Sequence, residues 1–241
     1  MNKSDLIYPE NYIDKAICGD CMKIMPPMPD NCVPMTLTDI PYGVVTRPDS
    51  GLRSLDKGDA DVETFNINEF MSEIIRVTAG SIYVFCSSEQ ISPILTIMKL
   101  QGLSIRSCVW EKTNPSPMNG ENIWLSGIEH CAYGKKSGST FNEFCKNSIW
   151  RYPAGSSNLH PTEKNLNLFK YLISVSSNPG DVVFDPCIGS GTSGEAALSL
   201  GRRIIGCEIN PEYCAIAMQR IKTELAQPDF FFNSGKGGTN G

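Results

Sequence analysis

Histidine is nearly absent from this chain. Only His130 and His160 occur among 241 residues, and the ten cysteines are scattered. Cys18-Gly19-Asp20-Cys21 has the spacing of half a zinc site, but no second pair completes a tetrahedral set, so no metal is expected. Several cysteines sit in apolar runs, such as residues 81–86 and 212–221, which suits reduced, buried thiols. Long hydrophobic runs are missing too: nothing approaches the roughly 18 apolar residues of a membrane span. Residues 1–12 lack the basic start and apolar stretch of a signal peptide, which points to a cytoplasmic protein with no membrane partner. Excess positive charge is also lacking. With 21 Lys and Arg against 26 Asp and Glu, the net charge is −5, which excludes a globally basic nucleic-acid binder.

The distribution of charge is more informative than its sum. Residues 1–73 hold 13 acidic and 6 basic side chains, whereas residues 99–154 hold 7 basic and 4 acidic, a local balance of +3. A phosphate backbone would meet least repulsion along that middle segment. A content of 41% hydrophobic residues over this length suits one domain with one sizeable core.

Helical and strand patterns alternate, which predicts an α/β sheet with helices on both faces. Ile67, Phe70, Met71, Ile74 and Ile75 share one helical face, with Gly80 expected to stop the helix and residues 81–86 to follow as a buried strand. Ile91, Ile94, Leu95 and Met98 repeat the helical spacing before Gly102, and residues 103–111 read as a strand. From 113 to 157 the regularity fades into Asn, Gly, Ser and Pro, with one strand-like run near 128–134. That composition reads as surface loops on a scaffold. Thr162 is expected to cap a helix running to about Ser176. Beyond it, residues 181–185 read as a strand, 192–200 as a helix, 203–208 as a strand and 212–225 as a last helix. Residues 227–241 read as a mobile tail.

Two motifs carry chemistry. Asp185-Pro186-Cys187-Ile188-Gly189-Ser190-Gly191-Thr192 ends a strand and opens a helix, so backbone atoms can approach a ligand where side chains would block it. Glu208, 19 residues after Gly189, ends the next strand where a carboxylate can accept both hydroxyls of a ribose. Gly189-x-Gly191-x-x-Gly194 also meets the dinucleotide fingerprint, so a NAD-dependent oxidoreductase is a competing reading. Against it, no second nucleotide-binding half follows, and Asp39-Ile40-Pro41-Tyr42 would have no role. That tetrapeptide puts a carboxylate, a carbonyl whose direction Pro41 restricts, and an aromatic face within four residues. An exocyclic amine is a poor nucleophile because its lone pair is delocalised into the ring. Acceptors on its N–H bonds draw the nitrogen toward tetrahedral geometry. Asp39 and the Ile40 carbonyl can supply them, and Tyr42 can stack on a base swung out of a duplex.

In this order, with Val109 to Pro115 and His160-Pro161-Thr162-Glu163-Lys164 between them, the motifs resemble the DNA amino-methyltransferases. The catalytic block preceding the cofactor loop resembles their permuted β class. The resemblance implies the Rossmann-like fold of S-adenosylmethionine-dependent methyltransferases, with a mostly parallel sheet and permuted motif order. It further implies S-adenosylmethionine as cofactor, double-stranded DNA as partner and a homodimer.

On that resemblance Asp39, Ile40, Pro41 and Tyr42 are catalytic. Asp20, Asp185, Pro186, Gly189, Ser190, Gly191, Thr192, Glu208 and Lys164 hold the cofactor. Asn165 departs from the proline common after that lysine, and Ile40 from the commoner proline. Asp39 favours the N6 amine of adenine, since cytosine-N4 enzymes of the family more often carry serine there. Cytosine-N4 methylation and an inactive DNA-binding module are alternatives. Residues 1–226 would form the methyltransferase domain, with 113–157 as its target-recognition segment. Lys135, Lys136 and Arg151 are expected on phosphates. Arg47 and Arg53 lie in the polar stretch 43–64, which reads as a clamp or a connector. Pro186-Cys187 matches a carbon-5 cytosine nucleophile, but its place inside the cofactor loop makes it a packing residue and the transfer direct.

Overall fold

The computed structural model describes residues 6–42, 66–117, 120–155 and 164–227. Eight strands form one sheet in the order β1-β8-β7-β2-β3-β5-β4-β6. In chain order these are β1 (Lys15–Cys18), β2 (Val33–Asp39), β3 (Thr78–Cys86), β4 (Ser104–Lys112), β5 (Ile128–Lys135), β6 (Ile149–Tyr152), β7 (Val182–Asp185) and β8 (Arg203–Glu208). Every neighbouring pair is parallel except the two that involve β5. Seven strands therefore point one way and present their carboxyl ends along one edge.

Alternation along the strands builds two cores. On β3, Ile82, Val84 and Cys86 face one cluster, which also contains Phe70, Met71, Ile74 and Ile75 of α2 (Ile67–Val77) and Ile94 and Met98 of α3 (Ile91–Leu100). Tyr83 and Phe85 face the other, with Leu168, Phe169, Leu172 and Ile173 of α4 (Leu166–Ser176), Ala196 and Ala197 of α5 (Thr192–Ser199) and Ala217 and Ile221 of α6 (Pro211–Leu225). Strands buried on both faces have near-continuous apolar sequences, as β3 does. The expected α/β architecture with helices on both sides of a mostly parallel sheet is the observed one.

Three local expectations are corrected. Helix α2 ends at Val77 and β3 begins at Thr78, so Gly80 lies inside the strand and stops nothing. A Cβ there would collide with the Pro34 carbonyl of β2; the glycine serves close strand approach. Helix α4 starts at Leu166 with Asn165 as its cap, the Asn165 side chain accepting the Leu168 N–H at 3.0 Å; Thr162 lies outside the described residues. Residues 113–157 are also more than loops. They contribute β5, wedged between β3 and β4, and β6, whose Trp150 is buried with its ring 6.2 Å from Tyr83 and 6.3 Å from Phe85. With four residues and alternate burial, β6 is too short to stand out from its polar surroundings.

The fold aligns the two motifs. Met35 pairs with Val183 and Thr36 with Phe184, so β2 and β7 are neighbours that end side by side. From β2 the sheet continues to β3 on one flank, and from β7 to β8 on the other. Diverging connections of this kind open a crevice beyond the carboxyl ends of the strands.

Candidate active site

The glycine loop leaves β7 at Asp185. One Asp185 oxygen accepts the Cys187 N–H at 3.0 Å and the other the Ser193 hydroxyl at 2.5 Å, which closes the turn into α5. Burial pushes this carboxyl up to about 7, because the charged form is poorly solvated there. The glycines differ in function. Gly189, at φ +54°, has nothing within 4 Å of where a Cβ would stand, and so leaves open space in the crevice. Gly191, at φ +98°, caps α5 and abuts Ala217 of α6; a Cβ would come within 2.9 Å of its Cα. Gly194 packs against Ile221. Ser190 and Thr192 are buried in the turn beside them.

Glu208, at the end of β8, faces the loop. Its carboxylate accepts the Gly189 N–H at 2.9 Å and the Asn210 N–H at 2.8 Å. From the end of β1, the strand beside β8, Gly19 donates its N–H to the Glu208 carbonyl at 2.8 Å, and Asp20 follows as the cap of α1 (Cys21–Ile24). A carboxylate with an open-sided glycine turn is a donor and acceptor set suited to a ribose and a cationic amino-acid moiety. Cys187 also turns into the protein. Its thiol is raised well above its usual range, first by a hydrogen bond with Cys21 and then by burial. It therefore stays protonated, which is unsuited to a covalent nucleophile. All ten cysteines are free, and no metal-ligating cluster occurs among the described residues.

Asp39 ends β2 beside this loop. Its Oδ2 lies 2.8 Å from the Lys164 ammonium, while its Oδ1 is buried with no hydrogen-bond partner among the described residues. Lys164 is 6% exposed and also contacts Glu129 Oε2 at 2.7 Å and the Tyr42 hydroxyl at 3.0 Å. Tyr42 in turn donates to Glu129 at 3.0 Å, and Lys112 holds the other Glu129 oxygen at 2.7 Å. Positive and negative groups thus alternate from Lys112 through Glu129 and Lys164 to Asp39. Burial raises Asp39 to about 6 despite Lys164. It would raise Glu129 likewise, but Lys164 and Lys112 outweigh it and hold that carboxyl at about 2. Ile40 is 2% exposed, with its side chain in the core and its N–H on the Phe85 carbonyl. The Gln90 amide donates to the Pro41 carbonyl at 2.9 Å and ties down the turn.

Lys164 was expected among the cofactor residues. The structure sets its ammonium against Asp39, because Asn165 caps α4 and leaves the lysine just ahead of the helix, directed at the end of β2. Glu129, Lys112 and Gln90 were not anticipated. Glu129 belongs to the strand-like run near 128–134, but its partners come from positions 42, 112 and 164, which no local pattern connects.

The basic residues separate into two groups. Arg151 lies at the active end of the sheet, 3.0 Å from Glu111 on the adjacent strand. Lys135 and Lys136 lie at the opposite end. Lys135 is level with Ser81 near the start of β3, six residues along β5 from Glu129, or about 20 Å. The Lys136 ammonium is 2.7 Å from both the Ile75 carbonyl and the Asn31 side chain. These two lysines are thus not beside the catalytic block, because β5 runs against the rest of the sheet. Arg47 and Arg53 lie outside the described residues, as do His160, Pro161 and Glu163.

Comparison with known proteins gives this geometry a relationship. A DNA methylase family model matches residues 114–219. The type II methyltransferase M2.DpnII of Streptococcus pneumoniae is 27% identical over 86% of this chain and 88% of its own. The chain is thus similar to DNA methylases in sequence, over residues 114–219 in the family model and over most of its length in this relative. Among solved structures, the complex of M1.HpyAVI with SAM aligns with this protein at a TM-score of 0.66 and 26% identity, over 86% of this chain and 98% of that one. The cytosine-N4-specific PvuII DNA methyltransferase aligns at 0.65 and 15%, over 88% and 93%, which shows a shared fold. The chain thus follows the permuted order read from its motifs, with Asp39 on the second strand and Asp185 on the seventh. No helix among its described residues is long and apolar enough to cross a membrane.

Proposed function

We propose that this protein is a DNA methylase that transfers a methyl group from S-adenosylmethionine to the N6 amine of adenine in double-stranded DNA, with the base swung out of the duplex. The observation that carries the reading is Asp39: one carboxylate oxygen is fixed by Lys164, and the other is buried with no partner among the described residues. A buried acceptor without a donor costs roughly 1–3 kcal/mol, and an incoming amine N–H would remove that cost. The Ile40 carbonyl, aimed by Pro41, is the second acceptor.

When bound, S-adenosylmethionine supplies an electrophilic methyl group on a sulfonium. Glu208 would hold the ribose of this cofactor, Asp20 the adenine side, and Asp185, Pro186, Gly189, Ser190, Gly191 and Thr192 the methionine side. The open space at Gly189 supports that fit, as does the SAM bound to the M1.HpyAVI relative.

Adenine is preferred over cytosine because position 39 carries aspartate, where the resemblance gives cytosine-N4 enzymes serine more often. Residues 1–226 would act as one methyltransferase domain. Within 113–157, residues 113–117 and 120–127 lie outside the sheet at the carboxyl ends of its strands and expose Ile123, Leu125 and Trp124, the last at 95%. They are the part suited to target recognition. Such a stretch gives limited area compared with the roughly 1,000 Å² or more of specific interfaces, so a homodimer is proposed, the second copy helping to hold the duplex.

The test is methylation of DNA in vitro followed by digestion and identification of the modified nucleoside. N6-methyladenine is expected; N4-methylcytosine would reassign the base, and no modified nucleoside would favour an inactive DNA-binding module. Sedimentation with and without a DNA duplex tests the dimer, which a monomer on DNA would refute.

A further inference from the structure

The Lys164 ammonium has three hydrogen-bond donors and spends them on Asp39, Glu129 and the Tyr42 hydroxyl. One buried positive charge is thus shared between two carboxylates on different strands. The groups facing Asp39 are Lys164 from the segment ahead of α4, Tyr42 after β2, Glu129 and Cys131 from β5, Cys86 from β3 and Asp185 from β7. The Cys86 and Cys131 thiols are pushed up by burial and are neutral near pH 7. Lys164 is the one positive charge among these groups. Glu129 opposes it twice, by drawing on the same ammonium and by placing a second negative charge beside Asp39. Lys112, 2.7 Å from the far Glu129 oxygen, keeps Glu129 ionised in that position.

We propose that Glu129 is a positioning residue for methyl transfer: it divides the Lys164 charge with Asp39 and, with Lys164, sets the proton affinity of the acceptor carboxylate. This rests on the reading of Asp39 as the acceptor for the target amine. Transfer then requires ionised Asp39 and rises with pH through the Asp39 titration. The two partners push that titration in opposite directions. Removing the Lys164 charge takes away the one positive charge among these groups that stabilises the carboxylate. Removing the Glu129 charge leaves the ammonium to Asp39 alone and takes away a repulsion.

The experiment is the pH dependence of single-turnover methylation, measured alongside the 13C titration of the Asp39 carboxyl in the DNA-free protein, whose resonance Asp39→Asn identifies. Lys164→Met should move the acid limb upward by about 1–3 pH units, the usual effect of a charge at this distance. Lys164→Arg should restore most of it. Glu129→Gln should move the limb and the carboxyl titration to lower pH. A purely structural role would lower the rate at all pH values without displacing the limb. Displacement of both variants in the same direction, or none, overturns the proposal. Should Lys164→Met fail to fold, Glu129→Gln still decides it, since a limb that stays or rises refutes it. If the wild-type protein methylates no DNA, the functional reading fails, while the carboxyl titration still decides the coupling.

Discussion

Tyr42 and Glu129 are joined by a hydrogen bond of 3.0 Å from the phenol to the carboxylate, with the Lys164 ammonium 3.0 Å from the same phenol oxygen. The ring proposed to stack on the target base is therefore fixed by its hydroxyl. Tyr42→Phe should lower kcat/KM by about 1 kcal/mol, the net worth of one such bond. Tyr42→Ala should lose a further 1–3 kcal/mol or so through the missing stack. Steady-state kinetics on a short duplex measures both; a phenylalanine variant of full activity would show that the hydroxyl orients nothing.

Asp39→Ala should abolish turnover yet leave S-adenosylmethionine affinity nearly unchanged, since the lost acceptor serves the amine. Paired calorimetry and activity assays make the comparison. Normal methylation by this variant would remove Asp39 from the mechanism.

Glu208 predicts the complementary pattern. Glu208→Ala should weaken S-adenosylmethionine binding by roughly 1.5–3 kcal/mol, as the loss of charge-assisted hydrogen bonds predicts, and NAD should not bind the wild type. Titration calorimetry with each ligand tests both statements; tight NAD binding alone would restore the oxidoreductase reading.

Asp185 makes stability depend on pH. Its carboxyl is raised from 3.8 to about 7 in the folded protein, so the fold binds that proton more tightly than the unfolded chain does. Its contribution to stability is fully present below about pH 4 and lost as pH rises through 7, on the order of 4 kcal/mol. Glu129, lowered to about 2, acts in the opposite sense: its contribution is present above about pH 4.5 and fades toward pH 2. Asp185→Asn should therefore raise the melting temperature of the cofactor-free protein at pH 8 more than at pH 5. Thermal melts across that range would reject the idea if the variant were equally destabilised at both.

Lys136 holds the Ile75 carbonyl in the last turn of α2 and the Asn31 side chain. Lys136→Ala should cost about 1–2 kcal/mol of stability. Charge reversal at Lys135 and Lys136 should leave the salt dependence of DNA binding unchanged, because both lie at the far end of the sheet. A lower salt slope would instead place the duplex there.

The order of motifs, the alternation of helices and strands, and the pairing of Asp185 with Glu208 across a glycine turn were all legible in the chain. Each depends on periodicity or on spacing within one βαβ unit, which a sequence displays directly. What surrounds Asp39 was not legible. Lys164 comes from just ahead of α4, Glu129 from the one strand that runs against the others, and Lys112 from the strand beside it. Their meeting depends on sheet order and strand direction. The reversal of β5 also carries Lys135 and Lys136 away from the site while bringing Glu129 to it, so residues six apart in sequence serve opposite ends of the protein. Strand direction is set by long-range pairing and by which faces can be buried, not by local composition. The sequence therefore determined which groups are proposed to carry the chemistry, and the tertiary structure decided which charges surround them.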